Sequence, residues 1–154
     1  VSFLLLGGGQ GQAQRKLEKT LRAVDLKGEF IKQEIFVRHE DVPNYLTEAD
    51  VFVFASSCET ISITLLEAMS TGLPIACSNR GPMPEVLQDA GVYFDPENSS
   101  SIADAIQTII IDYDLQCKLS ERAKELATRY SWESCSHETW AYLKKCSDKV
   151  VSCS

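Results

Sequence analysis

Two glutamates, Glu59 and Glu67, stand with seven residues between them and are suited to bind a ligand rich in hydroxyl groups. An apolar run over residues 51–54 leads into polar residues and then into an amphipathic stretch. This pattern predicts that Glu59 lies on a loop and that Glu67 lies about one turn into a helix. A carboxylate offers two acceptor oxygens that match adjacent hydroxyl groups. One carboxylate can therefore face the reacting end of a ligand while the other holds its far end.

The opposing interpretation of this pair is that Glu59 is a solvated loop residue and Glu67 a charge on a helix surface, as most carboxylates are. Cys58, beside Glu59, is a poor candidate for a nucleophile, because a neighbouring carboxylate disfavours the thiolate and no motif links a histidine to it.

A glycine run, Gly7-Gly8-Gly9-Gln10-Gly11, follows the first apolar run and opens a helical pattern. In this arrangement, backbone N–H groups and the helix dipole can approach phosphate oxygens. Gln12 stands where the dinucleotide fingerprint has its third glycine, and the Gly-Lys-Ser/Thr of a P-loop is missing. A tight turn required by packing and a ligand-binding loop are both open interpretations.

A second turn, Asn79 to Glu85, carries one arginine, Arg80, which either pairs with phosphate or is solvated as a lone loop arginine. Glu85 is expected in the first turn of a helix as a partner of the helix dipole.

The composition is that of one ordinary folded domain of 154 residues. The formal net charge of -7 and the scattered basic residues argue against nucleic acid as a partner. No apolar stretch approaches the ~20 residues of a membrane-spanning helix. The six cysteines have no Cys-x-x-Cys or zinc-site spacing, so we expect free thiols, a reducing cytoplasmic compartment and no metal site.

Short apolar runs alternate with helical patterns along the chain. The predicted strands cover residues 2–6, 31–37, 51–54, 75–77 and 92–94, and the predicted helices cover residues 13–24, 42–48, 62–70, 83–87, 101–111, 115–129 and 132–145. This alternation predicts an α/β fold: a Rossmann-like open parallel sheet with helices on both faces and two extra C-terminal helices. Ligands bind at the carboxyl ends of such strands, so the predicted binding edge comprises loops 7–12, 38–41, 55–62 and 79–84.

Local signals support these boundaries. Asp41 is expected to cap the helix that follows it, and Gly72-Leu73-Pro74 to end one helix and begin a strand. Ser99, Ser100 and Ser101 are expected to cap the helix over residues 101–111.

Several motifs accompany the glutamate pair. They are Ala49-Asp50-Val51-Phe52-Val53-Phe54, Gly72-Leu73-Pro74-Ile75-Ala76, Gly81-Pro82-Met83-Pro84-Glu85-Val86, Asp89-Ala90-Gly91 and Ser131-Trp132. With these motifs the chain resembles the C-terminal, donor-binding half of GT-B glycosyltransferases, above all the retaining nucleotide-sugar transferases of family 4. The resemblance covers nearly the whole chain.

The resemblance implies a role for each candidate residue. Glu59 would touch hydroxyls of the donor sugar near the reacting carbon, as the candidate catalytic residue, and Glu67 would accept hydrogen bonds from the ribose hydroxyls. The residues after Glu59 would meet sugar and phosphate, the glycine run would line the donor cleft, and the residues after the second strand would pack near the base. These further binding residues are Thr60, Ile61, Ser62, Ile63, Gly7, Gly8, Gly9, Arg38 and His39.

The resemblance also implies what surrounds this chain. Residues 1–154 would form a single donor-binding domain of a hexosyltransferase, without cofactor or metal and with a nucleotide-diphosphate sugar as donor substrate. The acceptor-binding N-terminal domain and a first strand-helix unit, whose Arg and Lys neutralise the donor pyrophosphate, would lie outside it, so the chain alone is expected to be a poor catalyst. The acceptor would be a glycan or a lipid, and the protein would be cytoplasmic or peripheral to the inner membrane face through the missing domain.

The chain departs from the family after Glu59. Many relatives have Gly-Phe-Gly there and proline three residues before the second glutamate, whereas this chain has Thr60-Ile61-Ser62 and Thr64. The hydroxyls of Thr60, Ser62 and Thr64 are candidates for replacing backbone contacts or capping the helix. Two other functions therefore stay open: a non-catalytic module that binds nucleotide sugars, and a nucleotide-sugar epimerase of the same fold.

Overall fold

A computed structural model describes the backbone of residues 1–151 and the side chains of residues 1–148. The chain forms two compact units, Val1–Tyr45 and the part from Leu46 onward. In each unit, parallel strands alternate with helices, which confirms the predicted α/β class.

The first unit contains a two-stranded parallel sheet. Its elements are β1 (Phe3–Leu6), α1 (Gly11–Val24), β2 (Ile31–Glu34) and a 3-10 helix (His39–Asp41), followed by α2 (Val42–Thr47), which leads into the second unit. Asp25 shapes the return from α1, because its carboxylate accepts the backbone N–H groups of Glu29, Phe30 and Ile31 at 2.9, 3.0 and 2.8 Å.

The predicted strand over residues 31–37 is too long, since β2 ends at Glu34. The pairing of β1 with β2 runs from Phe3 opposite Ile31 to Leu6 opposite Glu34. After one further hydrogen bond, from Gly7 N–H to the Glu34 carbonyl at 2.8 Å, the glycine run turns away and no partner strand continues. Phe36 is apolar, but it is 85% exposed.

The second unit contains a three-stranded parallel sheet in the order β3-β4-β5. Its elements are β3 (Phe52–Phe54), α3 (Ile63–Thr71), β4 (Ile75–Ser78), α4 (Met83–Leu87), β5 (Gly91–Phe94), α5 (Ser99–Ile111), α6 (Tyr113–Ala127) and α7 (Trp132–Val151). The central strand β4 is buried along its whole length, as expected of a strand covered on both faces.

One part of the core of the second unit lies where α5 packs against β4 and β5. A cluster of buried side chains fills this space, formed by Ala76, Phe94, Ala105, Ile109 and Leu119. The side chains of Ile75 and Cys77 alternate with Ala76 and point to the other face of the sheet. Both are fully buried, so both faces of β4 are covered, which agrees with the predicted sheet flanked by helices.

The predicted caps of α3 and α5 have different outcomes in the structure. Gly72 ends α3 with φ 76°, as predicted. Asn98, and not the serines after it, caps α5, since its side chain accepts the N–H groups of Ser100 and Ser101 at 3.0 and 3.2 Å. Asp41 lies within the 3-10 helix, where its carboxylate accepts from Arg38 at 2.8 and 3.2 Å.

Helices α6 and α7 end the described part of the chain without an intervening strand, as predicted. None of the helices in that part has an apolar stretch of the length that a membrane span requires.

Candidate functional site

Glu59 lies on the loop that joins β3 to α3, as predicted, and it is half-buried. Within residues 1–148, no group forms a hydrogen bond or an ion pair with its carboxylate. A half-buried carboxylate that no protein group engages leaves its acceptor oxygens available to solvent or to a ligand.

Glu67 is the fifth residue of α3, about one turn into the helix as predicted. The buried face of α3 is formed by Leu65, Ala68 and Met69, and Glu67 is half-buried beside it. The backbone carbonyl of Glu67 accepts the Ser70 hydroxyl at 2.7 Å. Glu67 is thus placed by the helix, whereas Glu59 is placed by the loop before it.

Ser62 immediately precedes α3 and is only 3% exposed. Among the residues that the structure describes, none pairs with its hydroxyl. The side chain makes no capping bond, so of the two roles considered for the Ser62 hydroxyl, capping the helix is excluded. Its φ of -96° lies in a region that residues other than glycine adopt, so serine is compatible with the backbone here.

The helix α3 leaves donor groups at its start. The first bond of the helix runs from Leu66 N–H to the Ser62 carbonyl at 3.1 Å, so the N–H groups of Ile63, Thr64 and Leu65 have no intrahelical partner. Ile61 and Ile63 are 70% and 46% exposed, and Thr60 is exposed as well. The loop therefore presents backbone N–H groups and exposed side chains next to the two glutamates.

The turn after β4 meets this loop. Gly81 has φ 55°, and a Cβ placed on it would lie 3.5 Å from the carbonyl oxygen of Glu59. Just before it, the Arg80 N–H donates to the hydroxyl of buried Ser78 at 3.2 Å. The loops that follow β3 and β4 thus come together at the carboxyl edge of the sheet, as the predicted topology requires.

The Arg80 side chain pairs with Asp95, the first residue after β5, at 3.2 Å. The N–H of Glu97 and then the Arg80 guanidinium hold the pKa of the Asp95 carboxyl below its ordinary value, against a smaller opposing effect of desolvation. Asp95 was not among the site residues predicted from the sequence. It could have been found there as an acidic residue that directly follows a predicted strand, at the carboxyl edge of the sheet.

Several backbone groups of the glycine run make contacts within the first unit. Gly7 has φ 105° and donates to Glu34, and Gly9 N–H donates to the side-chain oxygen of Gln14 at 2.9 Å. A side chain on Gly8 would collide with Ile35. These contacts favour a turn required by packing, and the role of Gly7, Gly8 and Gly9 in binding stays a prediction.

Arg38 is engaged by acidic residues of its own turn. Its guanidinium pairs with Asp41 at 2.8 Å and with Glu40 at 2.6 Å. His39 begins the 3-10 helix of this segment. Contacts of Arg38 and His39 with a nucleotide base stay predictions.

The cysteines in the described part of the chain are free: Cys58, Cys77, Cys117, Cys135 and Cys146. Cys153 lies outside the described residues. Burial raises the pKa of Cys77 to about 12, so this thiol is unreactive in the folded protein. Within the described residues, no group of three His, Cys, Asp or Glu side chains is arranged to hold a metal ion.

Comparison with known proteins shows which family matches this chain. The family model described as "Glycosyl transferases group 1" matches residues 1–126. The chain is 32% identical over 136 residues to the O-antigen chain mannosyltransferase B of Escherichia coli, covering 88% of this chain and 35% of that protein. It is 26% identical over 120 residues to the sulfoquinovosyl transferase of Arabidopsis thaliana, covering 69% of this chain and 24% of that protein. The chain thus spans about a third or less of these two relatives.

Solved structures share the fold. The C-terminal domain of a group 1 glycosyl transferase from Francisella tularensis has a TM-score of 0.66 at 26% identity, covering 76% of this chain and 61% of that domain. An Anabaena protein solved in complex with UDP has a TM-score of 0.82 at 22% identity, covering 94% of this chain and 41% of that protein. The parallel α/β fold, the glutamate pair and the matched residues together show that this chain belongs to the group 1 family of glycosyl transferases.

Proposed function

We propose that this chain is the donor-binding part of a retaining glycosyltransferase that moves a hexose from a nucleotide-diphosphate sugar to an acceptor. The observation that carries the proposal is the Glu59 carboxylate, which no described group engages, on a loop that packs against the turn at Gly81. Membership of the group 1 family supports it, as does the UDP bound to the structurally similar Anabaena protein.

Glu59 accepts hydrogen bonds from hydroxyls of the donor sugar in this proposal. Glu67, one turn into α3, accepts from the ribose hydroxyls. The free N–H groups at the start of α3 face anionic oxygens, which a helix N-terminus favours. The loop residues Thr60, Ile61, Ser62 and Ile63 line the contact. Separately, donor contacts of Gly7, Gly8, Gly9, Arg38 and His39 are part of the proposal for the first unit.

The reaction breaks the bond between the anomeric carbon and the diphosphate oxygen. The acceptor oxygen forms the new bond on the same face, and its proton leaves with the departing diphosphate or with solvent. Negative charge grows on the leaving group, so cationic groups and helix N–H groups must stabilise it. Glu59 orients the sugar and favours positive charge at the reacting carbon; it forms no covalent bond.

The acceptor is a glycan or a lipid in this proposal, and it is bound by a domain outside residues 1–154. The protein acts in the cytoplasm or at the inner face of the membrane.

One observation favours a second candidate, a non-catalytic module that binds nucleotide sugars. The run Thr60-Ile61-Ser62 contains no glycine, and the Ser62 side chain is buried at the start of α3. A stiffer loop binds a donor but is less able to follow the sugar through the reaction.

Ligand-observed NMR of the purified protein with UDP, GDP and ADP tests the binding role. Glu67→Ala is compared with Glu121→Ala, an exposed glutamate on α6. We expect one nucleoside diphosphate to bind. Glu67→Ala should weaken this binding, whereas Glu121→Ala should leave it unchanged. Binding that is unchanged in Glu67→Ala contradicts the ribose role, and an absence of binding for all three contradicts a donor site.

Release of the nucleoside diphosphate from its sugar tests the reaction in a full-length protein that contains this chain, because this part alone is expected to be a poor catalyst. A transferase releases it when acceptor or water takes the sugar, and Glu59→Ala should abolish that release while nucleotide binding persists. A protein that binds donor and never releases nucleotide is the non-catalytic module. Normal turnover in Glu59→Ala contradicts the role of Glu59.

A further inference from the structure

Arg80 is the single lysine or arginine in the loops at the carboxyl edge of the three-stranded sheet. These loops are residues 55–62 after β3, residues 79–82 after β4 and residues 95–98 after β5. The other basic residues from Leu46 to Asp148 lie on α6, on α7 or in the turn between them. An anionic ligand at this edge therefore meets two glutamates and one cation within the second unit.

The backbone of Arg80 is held from both sides. Its N–H donates to the hydroxyl of Ser78, which is fully buried, and the following turn at Gly81 lies against the carbonyl of Glu59. The arginine thus emerges beside the loop that carries the candidate catalytic residue.

The Arg80 side chain is held by one contact. Its Nη2 group donates to Asp95 Oδ1 at 3.2 Å, and the Arg80 side chain remains 51% exposed. Asp95 is itself fixed, because its Oδ1 accepts the Glu97 N–H at 3.2 Å and its own N–H donates to the Ser101 hydroxyl at 3.1 Å. Asp95 therefore keeps the guanidinium at the sheet edge.

This contact leaves most of the guanidinium available. A guanidinium has five N–H donors, and no described residue other than Asp95 accepts from the Arg80 side chain. An exposed ion pair of this kind adds little to stability, so its effect is to position the side chain. Paired N–H donors of arginine match two oxygens of a phosphate group.

We infer that Arg80 binds the diphosphate of the nucleotide sugar and that Asp95 positions it for that contact. The inference rests on the proposed function and adds to it a cation within this chain that faces the leaving group. A cation in this place favours the charge that grows on the diphosphate as the sugar departs.

The test compares a nucleoside diphosphate with its nucleoside. The probe is whichever of UDP, GDP and ADP binds the wild-type protein, paired with uridine, guanosine or adenosine. We expect Arg80→Gln to lower the affinity for the nucleoside diphosphate roughly tenfold or more, because a charged hydrogen-bond donor is lost. The affinity for the nucleoside should stay within about twofold of the wild-type value. Arg80→Lys keeps the positive charge but loses the paired N–H donors of the guanidinium, so it should lower the affinity for the diphosphate less than Arg80→Gln does.

Arg122→Gln is the matched control. Arg122 also pairs with an aspartate, Asp89 at 2.7 Å, but Asp89 precedes β5, at the opposite edge of the same sheet. We expect it to leave both affinities unchanged. Circular dichroism checks that each variant is folded, and if Arg80→Gln is not, Arg80→Lys decides the comparison.

Several outcomes overturn the inference. They are an unchanged diphosphate affinity in the Arg80 variants, an equal loss for the nucleoside, or an equal effect of Arg122→Gln. In each of these the wild-type protein binds nucleotide, so the proposed function stands. A wild-type protein that binds none of the three nucleotides overturns the proposed function, and the role of Arg80 with it.

Discussion

The hydroxyl of Tyr93 donates a hydrogen bond to the backbone carbonyl of Gln88 at 2.6 Å. Gln88 follows α4 with φ 51° and ψ -118°, and in the described part of the chain it is the one residue other than glycine with positive φ. Burial, and next the nearby Cys77 and Asp89, raise the pKa of the Tyr93 phenol, so it stays a neutral donor. This bond holds a strained turn between α4 and β5.

Replacing Tyr93 with phenylalanine should lower the free energy of unfolding by about 1 kcal/mol, because one hydrogen bond is lost and the ring is kept. Urea denaturation measures the change. Tyr130→Phe, at a 43% exposed tyrosine after α6, is the control and should change stability little. Equal effects of the two substitutions would show that the bond to Gln88 contributes nothing.

Gln88→Gly should raise the free energy of unfolding by about 1 kcal/mol. Relief of a strained backbone outweighs the entropy that glycine loses on folding. Gln88→Ala keeps the strain and serves as the control, with an expected change within about 0.5 kcal/mol. Thermal and urea unfolding measure both variants. A destabilising Gln88→Gly would mean that the Gln88 side chain itself stabilises the turn.

Ser62→Ala should stabilise the ligand-free protein by about 1 kcal/mol, since a buried hydroxyl without a partner costs free energy that a methyl group does not. Ser56→Ala is the control, because the Ser56 hydroxyl has a hydrogen-bond partner, the Cys58 carbonyl at 3.4 Å, so its removal should not stabilise the protein. Urea denaturation without ligand compares the two variants. Destabilisation by Ser62→Ala would indicate that the hydroxyl is satisfied in solution.

Asp89 should make stability depend on acid pH. The hydrogen bond from Arg122 holds the pKa of the Asp89 carboxyl below its ordinary value of 3.8, more than desolvation raises it. A carboxyl with a lowered pKa in the folded state stabilises the fold above its ordinary pKa, and this contribution is lost as the pH falls through the lower folded value.

Asp89→Asn should therefore destabilise the protein at pH 7 and progressively less as the pH falls below the ordinary aspartate pKa of 3.8. Urea midpoints measured from pH 7 down to acid pH test this. Asp104→Asn, at an exposed aspartate of α5, is the control. A difference between wild type and Asp89→Asn that stays constant with pH would contradict the assignment to charge.

Local patterns were enough to predict the α/β order of elements. Apolar runs located the strands and Gly72 located the end of α3, because both signals depend on residues that are neighbours in sequence. The position of Glu59 on a loop and of Glu67 within the helix followed from the same periodicity. The end of β2 was predicted wrongly because a partner elsewhere in the chain decides it, and β1 pairs no further than Glu34. The cap of α5 was predicted wrongly because the side chain of Asn98, directly before the serines, accepts the N–H groups of Ser100 and Ser101.

The glutamate pair, the family and the strand-helix alternation could be predicted, since they depend on residue types and short-range spacing. The pairing of Arg80 with Asp95 and the burial of the Ser62 hydroxyl, without a partner among the described residues, are visible only in the three-dimensional structure. The same is true of the turn at Gly81, which lies against Glu59. Each of these relationships joins neighbouring strands or depends on burial, and parallel pairing brings together groups that are far apart in the chain.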